Sequence, residues 1–336
     1  MAGLKVDVHA HLYSRDYLAE LDRIFANPQT PRERATAATL QGKIKKDSAM
    51  WNAEERLEFL DEVDVQYQIL SLSVPQAYEG NQADRLKLAQ ISNDDFASTV
   101  AKHPKRFLGF GSLPLPHVDD SLKELERCLD QLGMVGVCLG TNCDGQWLDN
   151  PDLRPVFDEL DRRQTVIFLH PLTAVCIEGV TDFNQSADLA YVYDTAVTVY
   201  RMLFSGMFDR YRKLKLIVPH LGGMLPALVG RFGKSYSVNP ACKTPQRVPY
   251  EYMKEFYYDV VSYFVPALHM AANAFGTDHL LLGSDYPFAI GDLRAAIQSV
   301  EEAFGPEDQA KIFGDNATAL FPALSIVPSP AAAGEG

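Results

Sequence analysis

Cysteine is sparse in this chain and its spacing carries no pattern: Cys128, Cys138, Cys143, Cys176 and Cys242 are odd in number and include no C-x-x-C pair. That argues against a cysteine metal site and against a disulfide framework, and fits reduced thiols in a cytoplasmic protein. Long apolar runs are missing too. No window approaches the roughly 18 uninterrupted apolar residues of a spanning helix, and the segment after Met1 has no apolar core of a secretory signal. Basic residues are in deficit, with 31 Lys+Arg against 44 Asp+Glu and a net charge of −13. A binder of phosphate backbones needs a basic stripe, and only Lys43, Lys45, Lys46 and residues 210–215 approach one. Neither a nucleic-acid nor a membrane partner is expected. No G-x-G-x-x-G follows the first expected strand, which disfavours a doubly wound dinucleotide-binding sheet.

What the chain does have is alternation. Short β-branched or aromatic runs at 5–11, 66–73, 106–113, 134–140, 165–170, 214–220, 256–262 and 280–285 read as strands. Between them lie amphipathic stretches such as 84–102 and 121–132, with apolar residues three and four apart, and Ser121 followed by Glu124 reads as a helix start. Eight strands alternating with helices predict an α/β protein, a (β/α)8 TIM barrel. With 336 residues, 47% of them hydrophobic, the chain can build one such core. The expected unit is a single barrel over 1–321. Residues 13–52 form a long insertion after the first strand, of the length that serves as a functional lid. The Pro/Ala/Gly-rich tail 322–336 is expected to be disordered.

Histidine is the informative residue. The chain has only 8, and four of them (His9, His11, His170 and His220) end expected strands, where Asp285 joins them. Barrel enzymes place their chemistry at this carboxyl face. His9 and His11 are two apart on one strand, so strict alternation points both the same way. With Val6 and Val8 packed outward, that direction is the barrel interior, and Asp7, sharing the histidines' parity, should face inward one layer deeper. Two imidazoles on one strand, with His170 and Asp285 arriving from others, can share a cation. Three nitrogens and one carboxylate suit Zn²⁺, with Mn²⁺ as the alternative. No motif for pyridoxal, thiamine or flavin is visible, so no organic cofactor is expected. His103, His117, His269 and His279 fall in helices or connections and receive no role.

The segments Val6-Asp7-Val8-His9-Ala10-His11, His170-Pro171, His220-Leu221-Gly222-Gly223 and Gly283-Ser284-Asp285-Tyr286-Pro287 resemble the amidohydrolase superfamily. More narrowly they are similar to its metal-dependent, non-oxidative decarboxylase branch, typified by aminocarboxymuconate semialdehyde decarboxylase. Asn93-Asp94-Asp95-Phe96-Ala97, His103-Pro104-Lys105-Arg106-Phe107 and Gly206-Met207-Phe208-Asp209-Arg210 extend the likeness over most of the chain. The resemblance implies a homodimer or higher homo-oligomer with a small carboxylic acid as substrate. It implies His9, His11, His170 and Asp285 as metal ligands and His220 as acid/base beside the metal-bound water, with Asp285 also able to take a proton. It further implies Arg231 as a substrate-carboxylate ligand lent by a neighbouring subunit. Trp51, Phe288 and Tyr191, with Tyr13 and Tyr193, are expected to line an apolar pocket over the metal.

One departure bears on substrate. The semialdehyde decarboxylases carry an arginine on the first long loop, where this chain offers Lys43, Lys45 and Lys46. A lysine is a point charge where arginine is a planar fork, so a phenolic or monocarboxylic acid stands beside the muconate type. Two other functions are compatible with the same residues: a metal-dependent hydrolase of a lactone or amide, and a catalytically silent metal-binding protein.

Overall fold

The computed structural model describes residues 3–172 and 183–326. Eight parallel strands follow one another around a single sheet: β1 (Val6–His11), β2 (Tyr67–Ser71), β3 (Phe107–Ser112), β4 (Gly136–Gly140), β5 (Val166–His170), β6 (Lys215–Val218), β7 (Tyr257–Asp259) and β8 (Leu280–Leu281). Backbone hydrogen bonds from Val8 N to Leu282 O at 2.9 Å, Asp285 N to His9 O at 2.9 Å and His11 N to Tyr286 O at 2.7 Å bring the last strand back to the first. The architecture is a (β/α)8 barrel. Its inner wall carries Val8, Ile69, Phe110, Cys138, Phe168, Ile217 and Leu281 in one buried cluster. Residues one position away, such as Leu70, Val137, Leu169 and Val218, pack instead with the surrounding helices.

The helices used below are α1 (Arg15–Ile24), α2 (Pro31–Thr39), α3 (Glu55–Glu62), α4 (Gln82–Lys102), α5 (Val118–Glu126), α6 (Arg154–Arg162), α7 (Tyr191–Phe204), α8 (Met207–Arg210) and α9 (Leu225–Val238). Their starts follow side-chain chemistry. The Ser14 hydroxyl accepts from Tyr17 N to open α1, and Asn81 and Asp84 exchange hydrogen bonds as a capping box on α4. Ser121 does not start its helix. α5 begins after His117, and Ser121 is buried within it.

The parity reading of β1 needs correction. The register of β1 on β2 shifts by one residue between Asp7 and Ala10, a β-bulge. In a bulge two residues oppose one, so alternation is broken. Val6 and Val8 therefore lie in the interior cluster, while Asp7 turns to the outer side, bonded to Gln68. His9 and His11 still face the interior.

The insertion is a packed substructure. It holds α1, α2, a π-helical turn at Leu40–Ile44 and a 3₁₀ turn at Ser48–Met50. Tyr13, Tyr17, Leu21, Leu40, Ile44 and Met50 are buried in the main core. Lys45 is paired with Asp22 inside this segment, which occupies one of the three lysines of the first long loop. The expected tail also begins later than residue 322. Pro322–Ile326 form a 3₁₀ turn, Leu324 is only 4% exposed, and Leu320, Phe321 and Leu324 close the amino end of the barrel against Phe110. The remainder of that tail, 327–336, lies outside the described residues, as does Cys176. The other four cysteines are free thiols, all buried.

Candidate metal centre and active site

The ladder stops early on the strands that carry chemistry. β6 ends at Val218 and β8 at Leu281, and the following residues His220, Leu221 and Asp285 take positive φ angles of 54°, 55° and 61°. Such angles are costly for non-glycine residues and cluster at functional sites. Here they turn a histidine and a carboxylate back over the barrel mouth. Gly283 permits the approach of β8 to its neighbours, since a Cβ there would stand 2.7 Å from Asp259 Cβ and 3.1 Å from His9 Cβ.

His9, His11, His170 and Asp285 come together. One ligand atom from each lies within 4.8 Å of all the others, and all four residues are buried. His9 Nε2 and His11 Nε2 are 3.0 Å apart. Asp285 Oδ1 is 3.0 Å from the latter and 3.3 Å from the former. The opposite ring nitrogens are engaged elsewhere. His9 Nδ1 donates to Asp259 Oδ2 at 2.7 Å, His11 Nδ1 faces Ser71 Oγ at 3.1 Å, and His170 Nδ1 donates to Pro171 O at 2.9 Å. With the proton held at Nδ1, each Nε2 presents a lone pair to the centre. Ring nitrogens and a carboxylate oxygen gathered this closely are the donor set of a cation site.

The electrostatics agree. Burial pushes the His11 imidazole down to about 4 and His170 well below the usual histidine range, which favours the neutral form of both. Burial opposes charge on His9 as well, yet Asp259 and Asp285 outweigh it and raise that imidazole to about 10. Asp285, despite its burial, is held well below the carboxylate range by His11, His220 and His9. The carboxylates thus favour positive charge in the cluster, and three nitrogens with one oxygen are a donor set that a divalent metal fits.

His220 stands beside this set. Its Nε2 is 3.6 Å from Asp285 Oδ2, its ring is 5.2 Å from that of His9, and its Nδ1 is buried without a partner. Phe288 lies 5.4 Å from the His11 ring. Tyr13 is fully buried with its hydroxyl on Val74 O at 2.9 Å, and Tyr191 is close enough to Asp285 that burial and this carboxylate together raise its phenol. Trp51 is placed differently. Its ring lies under the Arg15 guanidinium at 4.2 Å, on a cleft of about 420 Å³ between the insertion and α4 that Asp95, Lys102 and His103 also line. Arg231 is exposed on α9, with no ion pair among the described residues.

Asp259 was not among the residues singled out from sequence. It fell inside the expected strand 256–262, whereas β7 stops at Asp259 itself. Its second oxygen accepts from Leu221 N at 3.2 Å and Val261 N at 3.1 Å, so one carboxylate orients His9 and anchors the turn bearing His220. Arg56 was missed as well. It is fully buried and donates to His11 O at 3.0 Å.

Comparison with known proteins gives the same picture. Residues 6–323 match the amidohydrolase family. The chain is 30% identical over 326 residues to a 2-amino-3-carboxymuconate-6-semialdehyde decarboxylase of Dictyostelium discoideum, covering 94% of this chain and 90% of that protein. It is 29% identical to a gamma-resorcylate decarboxylase of Rhizobium sp. (strain MTP-10005), covering 80% and 86% respectively. A dihydroxybenzoic acid decarboxylase from Polaromonas sp. JS666, solved with bound manganese and 2-nitroresorcinol, superposes with a TM-score of 0.80 at 24% identity, over 96% of this chain and 97% of that one. The protein belongs to the amidohydrolase family, within its non-oxidative decarboxylase branch.

Proposed function

We propose that this protein is a metal-dependent, non-oxidative carboxy-lyase that releases CO₂ from an aromatic or unsaturated carboxylic acid. The observation that carries this reading is the convergence of His9, His11, His170 and Asp285 within 4.8 Å, with His220 against the free oxygen of Asp285. His9, His11, His170 and Asp285 would hold the ion. Zn²⁺ is the metal best suited to three nitrogens and an oxygen, and Mn²⁺, present in the Polaromonas structure, is the alternative. When bound, it supplies fixed positive charge against the substrate's oxygen atoms.

The chain's own residues then do the following. Phe288 packs against the substrate ring, and Tyr191 and Tyr13 close the buried side. His220 delivers a proton from Nε2 to the carbon bearing the carboxylate, acting as a general acid. The bond to the carboxyl carbon breaks, CO₂ leaves, and its electron pair restores the unsaturated system. Arg231, exposed on α9, would meet the substrate carboxylate of a second copy, since its fork suits that group and no described residue of its own chain forms an ion pair with it. Trp51 has no place in this scheme, being directed at the Arg15 cleft. A cytoplasmic location accords with the four free thiols, and no helix among the described residues is long and apolar enough to cross a membrane.

The test is metal analysis of the purified protein combined with CO₂ release from hydroxybenzoates, methylsalicylates, carboxyvanillate-like acids and aminocarboxymuconate semialdehyde. One acid should yield CO₂ only when metal is bound. Stoichiometric metal without CO₂ from any of them, with hydrolysis of a lactone instead, would refute decarboxylation. Mixing Arg231→Ala with His220→Ala protein should regain part of the activity. Proven subunit exchange without any regain would refute the shared site.

A further inference from the structure

Behind the metal ligands, on the outer side of β1, lies a buried polar chain that the reaction itself does not use. The Arg56 guanidinium on α3 is fully buried, donating through Nη2 to His11 O at 3.0 Å and to Ala49 O at 2.6 Å, and through Nη1 to Gln68 Oε1 at 3.4 Å. Gln68 passes the chain on, its Nε2 donating to Asp7 Oδ2 at 2.8 Å. Asp7 Oδ2 also accepts from Ser284 Oγ at 2.6 Å, while Asp7 Oδ1 accepts from the backbone N of His9 at 3.1 Å. Asp7 and Gln68 are both fully buried.

The connection to the bulge is physical. An extra residue in one strand leaves an amide outside the ladder, and a buried amide needs an acceptor. The His9 amide is that group, and Asp7 satisfies it. Arg56 holds the carbonyl of the other metal-ligand position, His11, and in the same gesture the turn at Ala49. Ser284 precedes Asp285, and the ring of Tyr286, on its other side, lies 5.1 Å from the Arg56 guanidinium. A positive and a negative group, joined through one amide, therefore grip two of the three strands that deliver ligands, β1 and the end of β8, and one end of the insertion. A strictly alternating β1 would give His9 and His11 a different setting relative to Asp285.

We propose that Arg56, Gln68 and Asp7 are positioning residues for the metal centre: they fix the bulge in β1 and thereby aim His9 and His11 at the ion. The proposal rests on the reading of His9, His11, His170 and Asp285 as metal ligands. Partners that orient metal ligands typically change metal affinity by about 10- to 100-fold when removed.

The test uses Gln68→Leu, which removes the bridge at similar volume, Asp7→Asn, and Arg56→Lys, which keeps one donor near His11 O. Metal affinity is measured by competition of a chelator for Zn²⁺ and Mn²⁺, and the melting temperature of each metal-free protein is taken alongside. Gln68→Leu and Asp7→Asn should bind metal about 10- to 100-fold more weakly, with Arg56→Lys nearer wild type. The loss should appear in affinity even where the metal-free melting temperature is little changed. Affinity equal to wild type in the folded variants, with only melting temperature lowered, would make these residues structural and overturn the proposal. For any variant that does not fold, amide hydrogen exchange in the wild type decides. The His9 amide should be protected like its ladder neighbours, and fast exchange there overturns the proposal. Wild-type protein that binds no metal at this cluster, or His170→Ala protein that binds it as tightly as wild type, refutes instead the metal reading on which the proposal stands.

Discussion

Replacing Asp259 with Asn should weaken metal binding through a proton, with hardly any change of shape. Asp259 uses Oδ2 to accept from His9 Nδ1 at 2.7 Å and Oδ1 to accept from Leu221 N and Val261 N at 3.2 and 3.1 Å. An asparagine has one acceptor oxygen and one donor amide. If its oxygen keeps the two backbone amides, its NH₂ faces His9 Nδ1, which must then become an acceptor and send its proton to Nε2. That nitrogen can no longer ligate, and it lies 3.0 Å from His11 Nε2. If the amide flips, its NH₂ meets two backbone N–H groups in a buried site, and Leu221 N–H, Val261 N–H and the NH₂ itself all lack an acceptor there. The first arrangement is therefore preferred, and the ligand loses its tautomer. Loss of such an orienting partner costs about 10- to 100-fold in metal affinity, or about 1.4 to 2.8 kcal/mol. Chelator competition at fixed pH measures it, and excess metal should restore CO₂ release. Affinity within about twofold of wild type would refute the assignment of Asp259 as the group that sets His9.

His220→Asn should retain bound metal while CO₂ release falls by about 10²- to 10⁴-fold, and loss of metal in that variant would make His220 a ligand. Asp95 on α4 has its carboxyl raised to about 6 by burial and by Asp16. Between its ordinary 3.8 and that value the folded state holds more protons than the unfolded state, so stability is lost as pH rises through this window. Asp95→Asn should thus raise the melting temperature above pH 6 and give no gain once the solution is acidified below the window. An equal gain at both ends would refute the burial effect. Leu324→Ala should cost about 2 to 3 kcal/mol in denaturant unfolding if the 3₁₀ turn at Pro322–Ile326 closes the barrel, and a silent substitution would return these residues to a loose tail.

The barrel was legible because several of its strands are short runs rich in β-branched or aromatic residues, such as Val166-Ile167-Phe168, set between amphipathic stretches. The residues of the clustered centre were legible for a related reason. Histidine is rare here, a metal needs that residue type, and the barrel delivers strand ends to one rim. What stayed hidden is where neighbours in space overrule a local rule. Val-Asp-Val-His-Ala-His reads as perfect alternation, and only Gln68 and Ser284, both far away in sequence, draw Asp7 outward and make the bulge. Asp259 and Arg56 are ordinary residue types whose roles depend on chains meeting across the barrel, His9 to Asp259 over 250 positions. Trp51 shows the converse. An aromatic near the end of the insertion suggests a pocket wall, but a cation from the same insertion, Arg15, took its face. The atoms that bind a metal must be chemically unusual and so leave a mark in the sequence. The atoms that aim them need only be an oxygen or an amide in the right place, which any of several residues can supply. Physical tests of this protein are therefore best directed at the second group, where substitution can separate aim from ligation.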